Sequence, residues 1–337
     1  MAVRACILGC AGLRFTPEER DFFRRVQPFG LILFKRNIEN RRQVLDLTRA
    51  FREIVDRDDA PILIDQEGGR VQRLGPPNWP SFPAAARFGE LYARNHAQGL
   101  DAVRLGARLI AAELAELAIN VDCMPVADLR LPQTHDVIGD RAYAFEPDAV
   151  GRLARAAADG LLEGGVLPVV KHVPGHGRAR ADSHKELPVV DAPLAELDRT
   201  DFEPFRRLND LPMAMSAHVV YSAIDPNLPA TISHKVIAEV IRDRIGFAGL
   251  LMSDDLSMQA LSGSLGTRAR AALAAGCDVV LHCNGRFPEM QEVAEAAPPL
   301  AGAAGQRADA ALSRLKPAPK TADLAEAHAR FSAMIGA

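Results

Sequence analysis

Along the chain, short apolar runs alternate with longer stretches in which apolar residues return at every third or fourth position. The runs fall at 5–11, 30–34, 61–64, 120–126, 167–172, 213–219, 249–252 and 278–282. Their length and content of β-branched residues suit buried strands. Helical spacing occupies 41–55, 102–117, 148–162, 194–208, 233–244 and 259–275, and the tail, 288–316 and 322–335, is helical in pattern with no further strand. About eight strands alternating with helices predict an α/β fold, a (β/α)8 TIM-barrel-like domain spanning 1–337. A doubly wound open sheet is the alternative, but no G-x-G-x-x-G follows any early strand. The proline clusters at 76–83 and 317–319 are too short to be interdomain tethers.

The polar residues fall into place on that fold. Nearly every strand-like run ends in a group capable of chemistry: Asp65, Asp128, Lys171-His172, His218, Asp254-Asp255, Asn284. In a (β/α)8 barrel the C-terminal strand ends gather at one mouth, and that mouth carries the active site. The convergence points to an enzyme.

Composition narrows the setting. A formal net charge of −3 leaves no basic footprint for nucleic acid or an anionic membrane. The five cysteines are odd in number, include no Cys-x-x-Cys pair and lie mostly in apolar runs, as buried thiols in a reducing compartment do. No segment approaches a membrane span. Ile7-Leu8-Gly9-Cys10 faintly resembles a lipoprotein cleavage site, but the apolar stretch before Cys10 is too short for a secretory signal. A cytoplasmic monomer is expected.

The densest candidate chemistry is Lys171-His172-Val173-Pro174-Gly175-His176-Gly177, running on to Asp182-Ser183-His184-Lys185-Glu186. Proline and glycine forbid a helix here, so the side chains sit on a loop hung from a strand. Histidine donates and recovers a proton near neutrality, and an acid two positions away, in a turn, reaches the imidazole to fix its tautomer. Asp-x-His alone also describes a solvated surface pair. His172-x-x-x-His176 invites a metal, but Pro174-Gly175 keeps the two rings off a common helix face. A loop-built site with His184 or His218 stays open, while His176 reads better as a hydrogen-bonded residue shaping the loop.

Ser253-Asp254-Asp255 follows a strand directly, where a carboxylate is held stiffly enough to be a nucleophile. Asp254 is assigned to chemistry and Asp255 to structure, as a cap. Asp65 and the arginines of Asp65-Gln66-Glu67-Gly68-Gly69-Arg70-Val71-Gln72-Arg73 suit vicinal hydroxyls, though a surface ion cluster has the same letters. Arg141, in a polar loop after Asp128, is within reach of the mouth.

Taken together, these stretches resemble the glycoside hydrolase family 3 β-N-acetylglucosaminidases of the bacterial, single-domain kind. Ile64 to Arg73, Ile138-Gly139-Asp140-Arg141, the Lys171–Gly177 element with Asp182-Ser183-His184, Ser216-Ala217-His218-Val219 and Ser253 to Met258 match in family order. The resemblance implies Asp254 as nucleophile, His184 as general acid/base and Asp182 as its partner. It places Asp65, Arg73, Arg141, Lys171 and His172 on a terminal N-acetylglucosamine. It implies no cofactor, no metal and a small carbohydrate substrate, an anhydro-muropeptide fragment. Val173 stands where the family often has a larger apolar residue, and the second domain of some relatives is not expected. Retaining glycosidases ordinarily pair two carboxyls about 5–5.5 Å apart; an imidazolium needs no raised carboxyl pKa to protonate the leaving oxygen at pH 7. Three rivals remain: a phosphorylase with the same residues, a non-catalytic sugar-binding barrel, and a metal-dependent amidohydrolase barrel.

Overall fold

The computed structural model describes residues 2–131, 136–179, 183, 186–317 and 324–336. Eight parallel strands close on themselves: β1 (Arg4–Leu8), β2 (Pro28–Leu33), β3 (Ile62–Ile64), β4 (Val121–Asp122), β5 (Leu167–Val173), β6 (Met213–Ser216), β7 (Leu250–Asp255) and β8 (Val279–His282). Each pairs with its sequence neighbours and β8 pairs with β1, so no edge is left open. Helices follow every strand. This is the expected (β/α)8 barrel.

The apolar runs read as continuous because both faces of each strand are covered. Alternate residues go to different cores. Ile7, Phe29, Leu63, Val121, Val169, Met213, Leu250 and Val279 fill the barrel interior. Leu8, Leu31, Ile62, Val170, Ala214, Leu251 and Val280 pack outward against helix residues such as Val44, Leu47, Phe51, Leu114 and Leu161. Helix Gly302–Leu312 contributes Ala308 and Ala311 to the interior cluster, and its Arg307 pairs with Asp278 just ahead of β8, so the N-terminal end of the barrel is plugged. The mouth at the other end is the one left to function.

Several expected elements change shape for local reasons. The 120–126 run makes ladder pairs only at Val121–Asp122, since Pro125 has no N–H to give; Val126 rejoins by a bridge to Lys171. The 194–208 helix breaks into Leu194–Arg199 and Glu203–Arg206, the second opening on Pro204. The 259–275 helix begins only at Leu265, after Gly263 at φ 86° and with Ser264 capping. Helix Val236–Arg244 forms as expected but is wound with π-type hydrogen bonds. Helix Pro17–Val26 was not expected, its apolar residues being few. Its start was nonetheless marked by a capping box, Thr16 Oγ accepting from Glu19 N at 3.1 Å while Glu19 accepts from Thr16 N at 2.9 Å.

Candidate active site

Immediately past β3 the chain makes a tight ribbon, Gln66–Gly68 against Val71–Gln72. Gly68 and Gly69 carry φ of 94° and 57°, and a Cβ on Gly68 would lie 2.4 Å from the Pro83 carbonyl oxygen. The turn folds Arg73 back so that its Nη2 donates to Asp65 Oδ2 at 2.8 Å. Lys171 Nζ, from β5, donates to Asp65 Oδ1 at 2.9 Å and lies 2.7 Å from Glu67 Oε1. Arg141, from the loop after β4, ends the series with a fork onto Glu67, Nε to Oε2 at 2.9 Å and Nη2 to Oε1 at 2.8 Å. Five charged side chains from three strand ends thus form one network.

Burial decides how that network titrates. It would raise the Asp65 carboxyl, but Lys171 and Arg73 outweigh it and hold Asp65 below the usual carboxylate range. Burial opposes ionisation of Glu67 too, yet Arg141 and Lys171 pull it down to about 2. The Lys171 ammonium, which burial alone would discharge, is kept protonated by Asp65 and Glu67. Asp65, Glu67 and Lys171 therefore stay charged at neutral pH, as does Arg141, whose pKa Glu67 raises against its burial. Asp65 still has lone pairs for a diol after accepting from both cations.

In a regular strand Lys171 and His172 would face opposite sides. The register against β6 slips between Lys171 and Val173, and both side chains line the same cavity of ≈ 390 Å³. That cavity also takes in Asp65, Arg73, Arg141 and Asp254, with Phe34, Met215, Met258 and Cys283 as apolar wall. The size suits a pyranose with a small substituent. Arg73 lies over the Phe34 ring, 4.9 Å from its centroid. Burial pushes the Cys283 thiol well up, so that wall offers no thiolate.

Asp254, the last residue but one of β7, is half-buried, one oxygen accepting the Asp255 N–H at 2.8 Å. Asp255 is structural but caps no helix, since Ser264 caps the one that follows; it accepts instead from Ser257 N at 3.0 Å, Ser257 Oγ at 2.6 Å and Cys283 N at 3.1 Å. His218 is buried, Nδ1 2.7 Å from Thr231 Oγ1 and Nε2 3.1 Å from the Asp255 carbonyl oxygen, and burial holds it neutral. It braces the segment bearing Asp254. Among the described residues no group of three or more His, Cys, Asp or Glu side chains stands ready for a metal.

The loop after β5 is riveted down to Ala179. Asp128 is fully buried; His172 pulls its carboxyl below the usual range against that burial. It receives the His172 Nδ1 at 2.7 Å and the His176 N–H at 2.6 Å. Tyr221 donates to the Gly175 carbonyl at 2.7 Å, and Arg178 Nε to Asp201 at 2.7 Å. Asp182 and His184, two of the three expected catalytic residues, lie outside the described residues. Ser183 between them is described, buried against His176.

The structure therefore gathers Asp65, Arg73, Arg141, Lys171, His172 and Asp254 around one cavity. Two residues that build this site had no assigned role in the sequence. Glu67 stands two positions after Asp65, and the even spacing on a strand-like segment was the available signal. Asp128 was seen as a strand-end acid, but nothing local said that it would fasten two histidines. What this assembly can do is bind a polyhydroxylated ring in a charge-balanced pocket and present a stiff carboxylate to it.

Comparison with known proteins agrees. Residues 5–317 match the family described as glycosyl hydrolase family 3 N terminal domain. A beta-hexosaminidase of Thioalkalivibrio sulfidiphilus is 42% identical over 288 residues, 84% of this chain and 82% of that protein. One from Bordetella parapertussis is 39% identical over 278 residues, 81% and 78% of the two. Among solved structures, NagZ from Neisseria gonorrhoeae in complex with N-trifluoroacetyl-D-glucosamine superposes with a TM-score of 0.88 at 31% identity, covering 100% of this chain and 98% of that one. A family 3 β-N-acetylglucosaminidase from Paenibacillus sp. str. FPU-7 also gives 0.88, at 29% identity, over 98% of this chain and 66% of that one.

Proposed function

The chain belongs to glycosyl hydrolase family 3 and is a glycoside hydrolase of the β-N-acetylhexosaminidase kind; on that premise we propose that it is a retaining exo-β-N-acetylglucosaminidase acting through a glycosyl-enzyme. The observation that carries the reading is Asp254 at the stiff end of β7, lining one cavity with the Asp65–Lys171–Glu67–Arg141 network. In this reading Asp65, Arg73, Arg141, Lys171 and His172 hold the terminal N-acetylglucosamine. The carboxylates of Asp65, Glu67 and Asp254 match the cations of Arg73, Lys171 and Arg141, so the pocket does not oppose positive charge building on the sugar.

Asp254 attacks the anomeric carbon as the glycosidic C–O bond breaks, and protonated His184, oriented by Asp182, gives its proton to the departing oxygen. Neutral His184 then takes a proton from water as that water attacks the same carbon. The ester bond breaks, Asp254 leaves as carboxylate, and the anomeric configuration is kept. The bound N-trifluoroacetyl-D-glucosamine of the Neisseria gonorrhoeae NagZ supports N-acetylglucosamine as the sugar. We extend the reading to GlcNAc-anhydroMurNAc-peptides from cell-wall turnover, handled by a monomer in the cytoplasm.

The test is covalent trapping. A 5-fluoro-N-acetylglucosaminyl fluoride slows the second step more than it slows its own departure, and digestion should place the added mass on the peptide holding Asp254. A label elsewhere, or none while turnover proceeds through the substrate's own acetamido oxygen, removes Asp254 as nucleophile. Running natural substrate with inorganic phosphate separates the phosphorylase: sugar 1-phosphate as main product defeats hydrolysis.

A further inference from the structure

The ladder of the ribbon after β3 stops at Gln72, one residue short of Arg73. Beyond that point the backbone of Arg73 and Leu74 has a side chain for a partner. Gln66 Oε1 accepts the N–H of Arg73 at 2.9 Å and that of Leu74 at 3.0 Å, and Gln66 Nε2 donates to the Leu74 carbonyl at 2.9 Å. One primary amide thus supplies the donor and the acceptor that a neighbouring strand would have offered. Gln66 is itself held from behind. It is 3% exposed, and its own N–H sits on Asp122 Oδ1, from β4, at 3.0 Å. The Arg73 side chain has less to fix it. Its Nη2 reaches Asp65 and its guanidinium lies over the Phe34 ring, but its buried Nε has no hydrogen-bond partner among the described residues. Arg141, by contrast, is gripped by a two-point fork on Glu67. Where the Arg73 guanidinium stands is therefore set by its backbone more than by its own contacts.

We propose that Gln66 is a positioning residue for sugar binding, its side-chain amide fixing the backbone at Arg73 and so setting the guanidinium against Asp65 at the cavity. Successive residues of an extended segment point to opposite sides, which is why Asp65 and Glu67 share the charged network while Gln66 between them turns to the ribbon. Gln66 is not among the residues lining the cavity, so its effect passes through Arg73. Losing the amide strips two buried N–H groups of their acceptor, and the segment bearing Arg73 must shift to find another. If that shift costs the sugar the equivalent of one net hydrogen bond, affinity falls roughly fivefold to tenfold. The inference rests on the reading of Arg73 as a residue that holds the sugar.

The experiment is a double-mutant cycle on wild type, Gln66→Met, Arg73→Ala and the double variant. It reads the dissociation constant of free N-acetylglucosamine by calorimetry, the melting temperature, and kcat and KM on an alkyl β-N-acetylglucosaminide, whose slow departure lets KM follow binding. Methionine keeps the length of glutamine and removes the amide. Gln66→Met should weaken sugar binding roughly fivefold to tenfold and raise KM to match, with kcat within about twofold. In the Arg73→Ala background the same change should cost under about twofold, because the group it positions is gone. Equal losses in both backgrounds, a lower melting temperature with unchanged affinity, or a fall in kcat larger than the rise in KM overturns the inference. Should Gln66→Met not fold, Gln66→Asn, whose amide is one methylene too short to serve both residues, is read against the same outcomes. Arg73→Ala alone separates this inference from the reading beneath it. If it weakens binding and Gln66→Met does not, only the positioning role fails; if it leaves affinity unchanged, Arg73 does not hold the sugar and the inference goes with that assignment.

Discussion

Replacing Glu67 with glutamine tests the electrostatic account of the pocket at its least anticipated member. The wild-type carboxylate takes two hydrogen bonds from Arg141 and one ion pair from Lys171, and its side chain is 6% exposed. Glutamine keeps the shape, removes the charge and turns an NH2 group towards donors. The Glu67 pKa falls from 4.5 to about 2, which by linkage is worth roughly 3 kcal/mol of folding free energy at neutral pH. The usual cost of removing one partner from a buried ion pair, about 3–5 kcal/mol, agrees. For 337 residues a loss of that size lowers the melting temperature by roughly 4 °C at pH 7. The sign of the pH dependence follows from a depressed carboxyl. The contribution is complete above the unfolded value near 4.5 and disappears as pH drops through about 2, so the gap between the proteins should narrow across that window. The assay is thermal unfolding of both proteins at pH 7 and at intervals down to pH 3. A difference under about 1 kcal/mol at pH 7, or one that does not shrink with acid, would falsify the claim that this carboxylate is held ionised by Lys171 and Arg141.

Three other outcomes are expected. Asp254→Ala should abolish turnover while the protein keeps its melting temperature within a few degrees and still binds N-acetylglucosamine by calorimetry; retained activity would move the nucleophile elsewhere. Tyr221→Phe strips the buried Gly175 carbonyl of its donor and should cost about 1–3 kcal/mol in urea unfolding, more than a surface tyrosine would. All five cysteines are buried, and burial raises their thiol pKa values, Cys6, Cys10 and Cys277 to about 12. Native protein at pH 8 should therefore resist iodoacetamide until denatured, as read by intact mass, whereas fast alkylation of Cys283 would show a more open pocket than the one described.

What the linear chain determined was whatever each segment carries in itself. Eight apolar runs buried on two faces announced a barrel, and the acids, bases and histidines at their ends announced one mouth, because strand order in a (β/α)8 fold follows chain order. Six of the eight expected site residues, Asp65, Arg73, Arg141, Lys171, His172 and Asp254, do line one cavity. Which charge answers which was decided only by closure of the barrel. Asp65 meets Lys171 across 106 positions, Glu67 meets Arg141 across 74, and Asp128 fastens His172 across 44. Nothing in the local letters ranks such pairings, since an exposed ion pair and a buried one are spelled alike and differ only in the water that folding removes. The slip that turns both Lys171 and His172 towards the cavity, and the burial of Ser183 against His176, belong to the same class: they depend on where a neighbouring strand ends, and that is a property of the assembled barrel.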